Sequence, residues 1–327
     1  MLNKLNKKVT DQYGIEIQKS SLIKHDRTTS LVAKLLGDNG KKYALKTLYL
    51  NKRKQEFIVR TELLLSKKGV CLAKPVPTKD DKLFFMHKGH PYVLYEWVEG
   101  DRHPLNNPQD LKSLIKTIAE MHRASYNLNF PHHIKPYANT NWKKDYKKRI
   151  GYMDRFYKMN KDASNPRKEA YVSSIPFFRK MAKKALKFLE KSKYASLAKR
   201  PYKEQSLIHG DAHQGNVRYE ENEKAIIDFE DVCYDLPSKD LIRIFSKYTK
   251  RHQFDAKIFQ KMMEWYEEVN PISPATRKVI LIDFLFPHTI HRMLRLKKYK
   301  IQTLEEVKQV VREEKKKAEY IYKKYLH

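Results

Sequence analysis

Between Leu207 and Asp231 the chain reads LIHGDAHQGNVRYEENEKAIIDFED. Two short apolar runs flank a loop built from His209, Gly210, Asp211, His213, Gly215 and Asn216. The sequence on either side is of another kind. Most of 141–193, 238–268 and 274–326 repeats apolar residues at helical spacing, whereas 205–231 carries runs of strand length. A fold for this chain must therefore set short strands inside a helical region. It must also gather Asp211, Asp228 and Asp231 beside one loop, in a chain with 68 Lys and Arg against 38 Asp and Glu.

The spacing inside the loop points to a chemistry. His209, Asp211 and Asn216 fit H-x-D-x-x-x-x-N, the pattern of a kinase catalytic loop, and Asp228 closes the apolar run AIID twelve residues after Asn216. Phosphoryl transfer needs a carboxylate to take the proton of the acceptor hydroxyl, which suits Asp211. It needs hard oxygen ligands for Mg²⁺ on the nucleotide phosphates, which suits Asn216 and Asp228. Two plainer readings compete: an ordinary Asp/Asn/Gly turn, and a metallophosphatase site with His209, Asp211 and His213 as ligands. The second wants another His after Gly215-Asn216, where Val217 stands.

The N-terminal region offers the remaining parts. LVAKLL and KYALKTLYL flank GDNG, a hairpin signal. Residues 52–68 read as a helix starting after Asn51 and stopping at Gly69, and KLFFMHKGHPYVLYEWVEG reads as two strands joined at HKGH. This predicts a small antiparallel sheet with one helix. Lys46 in YALKTL stands where a third-strand lysine holds α- and β-phosphates. Glu62 and Glu56 are the helix acids that could orient it; Glu62, just before the leucine run, is preferred, and an ion pair with Lys46 is expected. The backbone of Glu96 and Val98, in YVLYEWVEG, is expected to meet the adenine edge.

With those residues in place, the chain resembles the aminoglycoside phosphotransferase and choline-kinase-like superfamily, and within it the spore-coat CotS-type branch of Bacillus-like bacteria. The stretches that carry this are YALKTLYLNKRKQEFIVRTELLLSKKGV, PYVLYEWVEG, NTNWKKDYKKRI and IHGDAHQGNV…AIIDFEDVCYDLPSKDLIRI, and the resemblance spans roughly 20–300. It implies an α+β, protein-kinase-like two-lobed fold. A β-rich nucleotide-binding lobe would cover 1–100, and a mostly helical lobe 101–327, with the catalytic loop at 205–231. Carried over by position, Asp211 is the base, Asn216 and Asp228 the metal ligands, Lys46 the phosphate-binding lysine, and Asp240 a buried structural acid. The glycine-rich phosphate loop would fall at KHDRTTSLVAKLL, which has no glycine. There Thr28, Thr29 and Ser30 would offer hydroxyls and backbone amides to a phosphate. ATP or another nucleoside triphosphate and Mg²⁺ are the implied cofactors, and a small-molecule hydroxyl the implied acceptor.

Composition narrows the classes. Cys71 and Cys233 are the two cysteines, too few for a disulfide framework. The start of the chain has no apolar signal core and no run reaches a membrane span, so neither secretion nor a transmembrane anchor is expected. The formal charge is +30, and half of it lies in 131–200, where 20 Lys and Arg face 5 Asp and Glu. Such a field attracts anionic coat proteins or polymers without selecting a nucleic acid, and is a poor attractor for a polycationic aminoglycoside. Three readings follow: a spore-coat-associated phosphotransferase, made in the cytoplasm and deposited in the coat; a kinase-fold coat scaffold with weak or no catalysis; and a basic polyanion-binding module.

Overall fold

A computed structural model describes residues 2–26, 30–48, 50–221 and 223–327. The chain forms two compact units. The first comprises 1–103, 124–137 and 209–233, and the second 104–123, 138–208 and 234–327.

The first unit is built on a six-stranded antiparallel sheet. Its strands are β1 (Ile17–Asp26), β2 (Ser30–Gly37), β3 (Lys42–Thr47), β4 (Pro75–Val76), β5 (Phe85–His87) and β6 (His90–Glu96), in the order β1-β2-β3-β6-β4 with β5 also on β6. The turns follow from their residues. Gly40 takes a positive φ in the β2–β3 hairpin, and Lys88 and Gly89 both do between β5 and β6, as a two-residue primed turn requires.

Period-two alternation decides what each face of this sheet buries. Leu31, Ala33, Leu35, Tyr43, Leu45, Tyr92 and Leu94 join one core cluster with Leu5, Val9 and Tyr13 of helix α1 (Leu2–Tyr13). On the opposite face Val93 and Tyr95 pack against Val59 of helix α2 (Lys52–Lys67), with Ala44 beside them. The alternation thus places Ala44 and Lys46 on the α2 side. One helix was expected with this sheet and two are found. α1 escapes a pattern reading because only residues spaced by four, amid Lys and Asn, carry its apolar face.

A short strand β7 (Asp101–Arg102) pairs with the hairpin Val217–Glu220/Glu223–Ile226. That hairpin is tied in turn to 71–73: Ile226 N–H donates to Cys71 O at 3.0 Å and Ala73 N–H to Ile226 O at 3.1 Å. The second strand of the hairpin therefore delivers Ile227 and Asp228 to the first unit.

The second unit is helical: α3 (Pro108–Ala124), α4 (Trp142–Asn160), α5 (Pro166–Lys191), α6 (Tyr194–Leu197), α7 (Ser238–Arg251), α8 (Ala256–Val269), α9 (Pro274–Leu285), α10 (His288–Arg295) and α11 (Leu304–Ile321). Side-chain caps start several of them, with Asn165, Asp255 and Ser273 accepting backbone N–H groups and Thr303–Glu306 forming a capping box. Asp240 is fully buried, with His122 Nε2 3.0 Å from its Oδ2. Among the described residues no helix is long and apolar enough to cross a membrane.

Candidate active site

Every site residue predicted from the sequence and described in the structure falls in the first unit. Its loop is shaped by hydrogen bonds that use backbone and histidines. His209 is fully buried; its Nε2–H donates to Ile227 O at 2.9 Å, and its Nδ1 faces the Asp211 N–H at 3.3 Å. His213 Nδ1 accepts from Gly215 N–H at 2.9 Å, capping the 3₁₀ turn Gln214–Asn216. Both nitrogens of His209 are occupied, so the metallophosphatase reading loses a ligand. Gly210 has φ +87°, and a Cβ there would meet Asp231 O at 2.5 Å, so no other residue fits without strain.

Asn216 links loop to strand. Its side-chain amide donates to Asp211 O at 3.1 Å, and its carbonyl accepts the Ile227 N–H at 2.9 Å. With the amide nitrogen so used, Oδ1 is the atom left for a cation. Asp228 follows in the left-handed region, φ 74° and ψ 53°, which Asp tolerates better than most residues.

A cavity of about 200 Å³ lies beside this turn. Lys46, Glu62, Glu96, Val98 and Asp228 all line it, with Tyr95, Trp97 and Arg218. Asp211, Asn216 and Ser30 are not in its lining. Ser30 opens β2, and its buried hydroxyl has no hydrogen-bond partner among the described residues. Thr28 and Thr29 lie outside the described residues. The N–H of Glu96 donates to Lys74 O, and that of Trp97 to Lys42 O. What Glu96 has left to offer a ligand is therefore its carbonyl.

The electrostatics differ from expectation in one respect. The Lys46 ammonium pairs with Asp228 Oδ1 and lies 3.5 Å from Glu230 Oε2, whereas the partner expected from the sequence was Glu62. The helix face was read as it is found, since Glu62 lines the cavity and Glu56 instead meets His133 at 3.3 Å. Glu62 is buried and its carboxylate meets Tyr95 instead. It accepts the Tyr95 hydroxyl at 3.1 Å, and burial, opposed by Lys46 and that hydroxyl, pushes its carboxyl up to about 8. Burial alone would lower Lys46, but Asp228 and Glu230 outweigh it and hold the ammonium above the ordinary lysine range. Burial likewise opposes ionisation of Asp228, and Lys46 reverses this, holding that carboxyl below its usual value. Glu230 moves up, through burial and the charge of Asp228.

This arrangement predicts a pH dependence. A carboxyl whose folded pKa lies above its unfolded 4.5 contributes stability that is whole below that value and is lost as pH rises toward 8. Across the window the native state keeps a proton that the unfolded state has released. Glu62→Gln preserves an acceptor for Tyr95 and removes the titration. Relative to that variant, the native chain should lose a few kcal/mol of stability between pH 5 and 8. Urea unfolding of both proteins at the two pH values is the check, and parallel curves would show that Glu62 is ionised in the fold.

Among the described residues no three His, Cys, Asp or Glu side chains are grouped to hold a metal by themselves. The oxygen donors present, Asn216 Oδ1 and the Asp228 carboxylate, suit a hard cation that completes its shell with water and phosphate oxygens, which is how Mg²⁺ is commonly bound. Arg218 was missed from the sequence. The signal available was alternation: Val217 is buried, so the next residue on that strand turns its side chain to the other face.

A model of the family described as "Spore coat putative kinase YutH" matches residues 6–324. Spore coat protein S of Bacillus subtilis (strain 168) is 24% identical over 264 residues, which is 77% of this chain and 72% of that protein. Among solved structures, an aminoglycoside phosphotransferase from Alicyclobacillus acidocaldarius superposes with a TM-score of 0.76 at 16% identity, covering 97% of this chain and 94% of that one. Amicoumacin kinase, in complex with AMP-PNP and Ca²⁺, gives 0.65 at 16% identity over 97% and 93%. Spectinomycin phosphotransferase, in complex with ADP, gives 0.61 at 17% over 96% and 98%. At these identities the likeness is one of fold, and the fold is kinase-like: a small antiparallel sheet with a mostly helical remainder.

Proposed function

The chain belongs to the spore coat YutH kinase family, and on that premise we propose that it is an ATP- and Mg²⁺-dependent phosphotransferase acting on the hydroxyl of a small molecule. The observation that carries this reading is that Lys46, Glu62 and Asp228 line one cavity, while the loop bearing Asp211 and Asn216 is bonded to Ile227, the residue before Asp228. In this reading residues 1–100 are the nucleotide-binding lobe and 101–327 the helical lobe; the loop 205–231 lies in the latter by sequence, although its residues 209–231 cluster with the first unit.

The roles follow from the atoms available. The carbonyl of Glu96 and the N–H of Val98 take the edge of adenine. Lys46 supplies positive charge to the phosphates, and Glu62 sets the environment of that lysine. Asn216 and Asp228 hold Mg²⁺, which when bound neutralises charge on the transferred phosphoryl group. Asp211 accepts the proton of the acceptor hydroxyl.

Two alternatives keep their own support. The charge of +30 favours deposition against anionic coat proteins or polymers. The same charge suits a kinase-fold scaffold without catalysis, or a basic polyanion-binding module. Thermal unfolding with Mg²⁺ alone and with millimolar ATP and Mg²⁺ separates these. A ligand that binds only the folded state at 100 times its Kd adds about 2.7 kcal/mol, so a rise in Tm of several degrees is expected. No shift would hand the site to the scaffold reading. A shift would open a screen of hydroxyl-bearing metabolites for the acceptor.

A further inference from the structure

The walls of the cavity come from two different sheets and are chemically unlike. The six-stranded sheet contributes the aliphatic Ile23, Val32 and Ala44, together with Lys46, Tyr95 and Glu96. The hairpin that follows the loop contributes Arg218, and Ile227 lies just beyond its end. The cavity thus offers a flat ligand both aliphatic carbon and a guanidinium.

The ribbon around Arg218 does little for its charge. Arg218 lies on the central strand, with Arg102 directly across on one side and Ala225 on the other. Residues directly opposite share a face, and like charges so placed repel. Among the described residues no carboxylate lies within ion-pair distance of Arg218. Lys46, the other cation of the lining, has both Asp228 and Glu230. Arg218 is only part-exposed and lines the cavity, and a long cationic side chain so placed can lay its apolar stem along the wall. A guanidinium is weakly hydrated and planar, and it stacks on aromatic faces where an ammonium acts as a point charge.

Its position along the cavity selects which part of a nucleotide it meets. Lys46 pairs with Val93 across β3 and β6, on the side of Asp228. Arg218 pairs with Arg102, four residues past Val98, and lines the cavity together with Glu96 and Val98. In the function proposed above, Glu96 and Val98 read the base edge, and Arg218 shares their cavity.

We propose that Arg218 is the surface on which the nucleotide base stacks, so that the site grips its ligand by a guanidinium–purine stack as well as by phosphate and metal contacts. The proposal rests on the nucleotide reading given above. It predicts that a purine nucleoside without any phosphate still recognises the site through Arg218. It also predicts that lysine cannot replace the arginine there, because the plane and not the charge makes the contact.

The test is calorimetric titration of adenosine, and separately of ATP with Mg²⁺, into the parent, Arg218→Ala and Arg218→Lys. Base stacking commonly changes affinity by about 5- to 100-fold on truncation. Both variants should lose a factor in that range, for adenosine and for Mg-ATP alike. Unchanged adenosine affinity in Arg218→Ala would overturn the proposal. So would a loss confined to Mg-ATP that Arg218→Lys restores, since that pattern marks a phosphate contact. Should adenosine be too weak to measure in the parent, the Mg-ATP arm decides by the same lysine comparison. Should the parent bind neither ligand, the nucleotide reading itself falls and the stack with it. Thermal unfolding of the ligand-free variants guards against loss of fold, which a part-exposed position is not expected to cause.

Discussion

Asp211→Asn should lower phosphoryl transfer by roughly 10²–10⁴, the contribution of a positioned general base, while leaving Mg-ATP affinity within a factor of about three. The loop geometry is why the two effects should separate. The Asp211 N–H faces His209 Nδ1 at 3.3 Å and its carbonyl accepts from the Asn216 amide at 3.1 Å. The backbone of residue 211 and His213 at Gly215 thus hold the turn by bonds that the substitution keeps. The Asp211 side chain is 36% exposed, with Oδ2 3.4 Å from His213 Nε2. Asparagine fills the same volume and cannot take a proton. Acceptor-dependent release of ADP measures the rate, and calorimetry the binding. A variant that transfers at the parent rate would remove Asp211 from the chemistry. One that binds Mg-ATP far more weakly would recast it as part of the nucleotide site.

Much of this arrangement is legible in the sequence, because local rules determine it. Alternation along KYALKT separates Tyr43 and Leu45, which face α1, from Ala44 and Lys46, which face α2. Helical spacing likewise separates Glu62 from Glu56. What the sequence does not carry is the outcome of competition among charges. Whether Lys46 meets Glu62 or Asp228 depends on how deeply each acid is buried, and burial is a property of the assembled fold. Tyr95 illustrates the same point: nothing in YVLYEW says that its hydroxyl will reach Glu62 at 3.1 Å. α1 was missed for a different reason. A helix that buries Leu5, Val9 and Tyr13 and leaves Lys and Asn outside has too few apolar positions to announce itself, and packing on the sheet supplies the stability that its pattern does not advertise.

Asp228→Asn should weaken binding of Mg-ATP by at least about 10–100-fold, the range typical of removing a mere supporting partner of a metal ligand. Binding of ATP without metal should change far less. Backbone strain should not confuse the result, because residue 228 has φ 74° and asparagine adopts the left-handed region as readily as aspartate. The cost to the ligand-free protein is of another origin. Lys46, 16% exposed at its side chain, loses its direct carboxylate and keeps only Glu230 at 3.5 Å. An ammonium with a weakened partner in a part-buried site destabilises the fold, so the variant should unfold at lower urea than the parent at neutral pH. The sign of the pH effect then identifies the cause. Asp228 has a depressed folded pKa, so its contribution is whole above its unfolded value of 3.8 and is lost as pH falls through the folded one. Parent and variant should therefore converge in stability under acid conditions and differ most near pH 7. A stability gap that is the same at both pH values would mean that the Asp228 charge plays no part in the fold. Undiminished Mg-ATP binding would mean that it plays no part in holding the metal, leaving Lys46 and Asp228 as an internal ion pair of a scaffold.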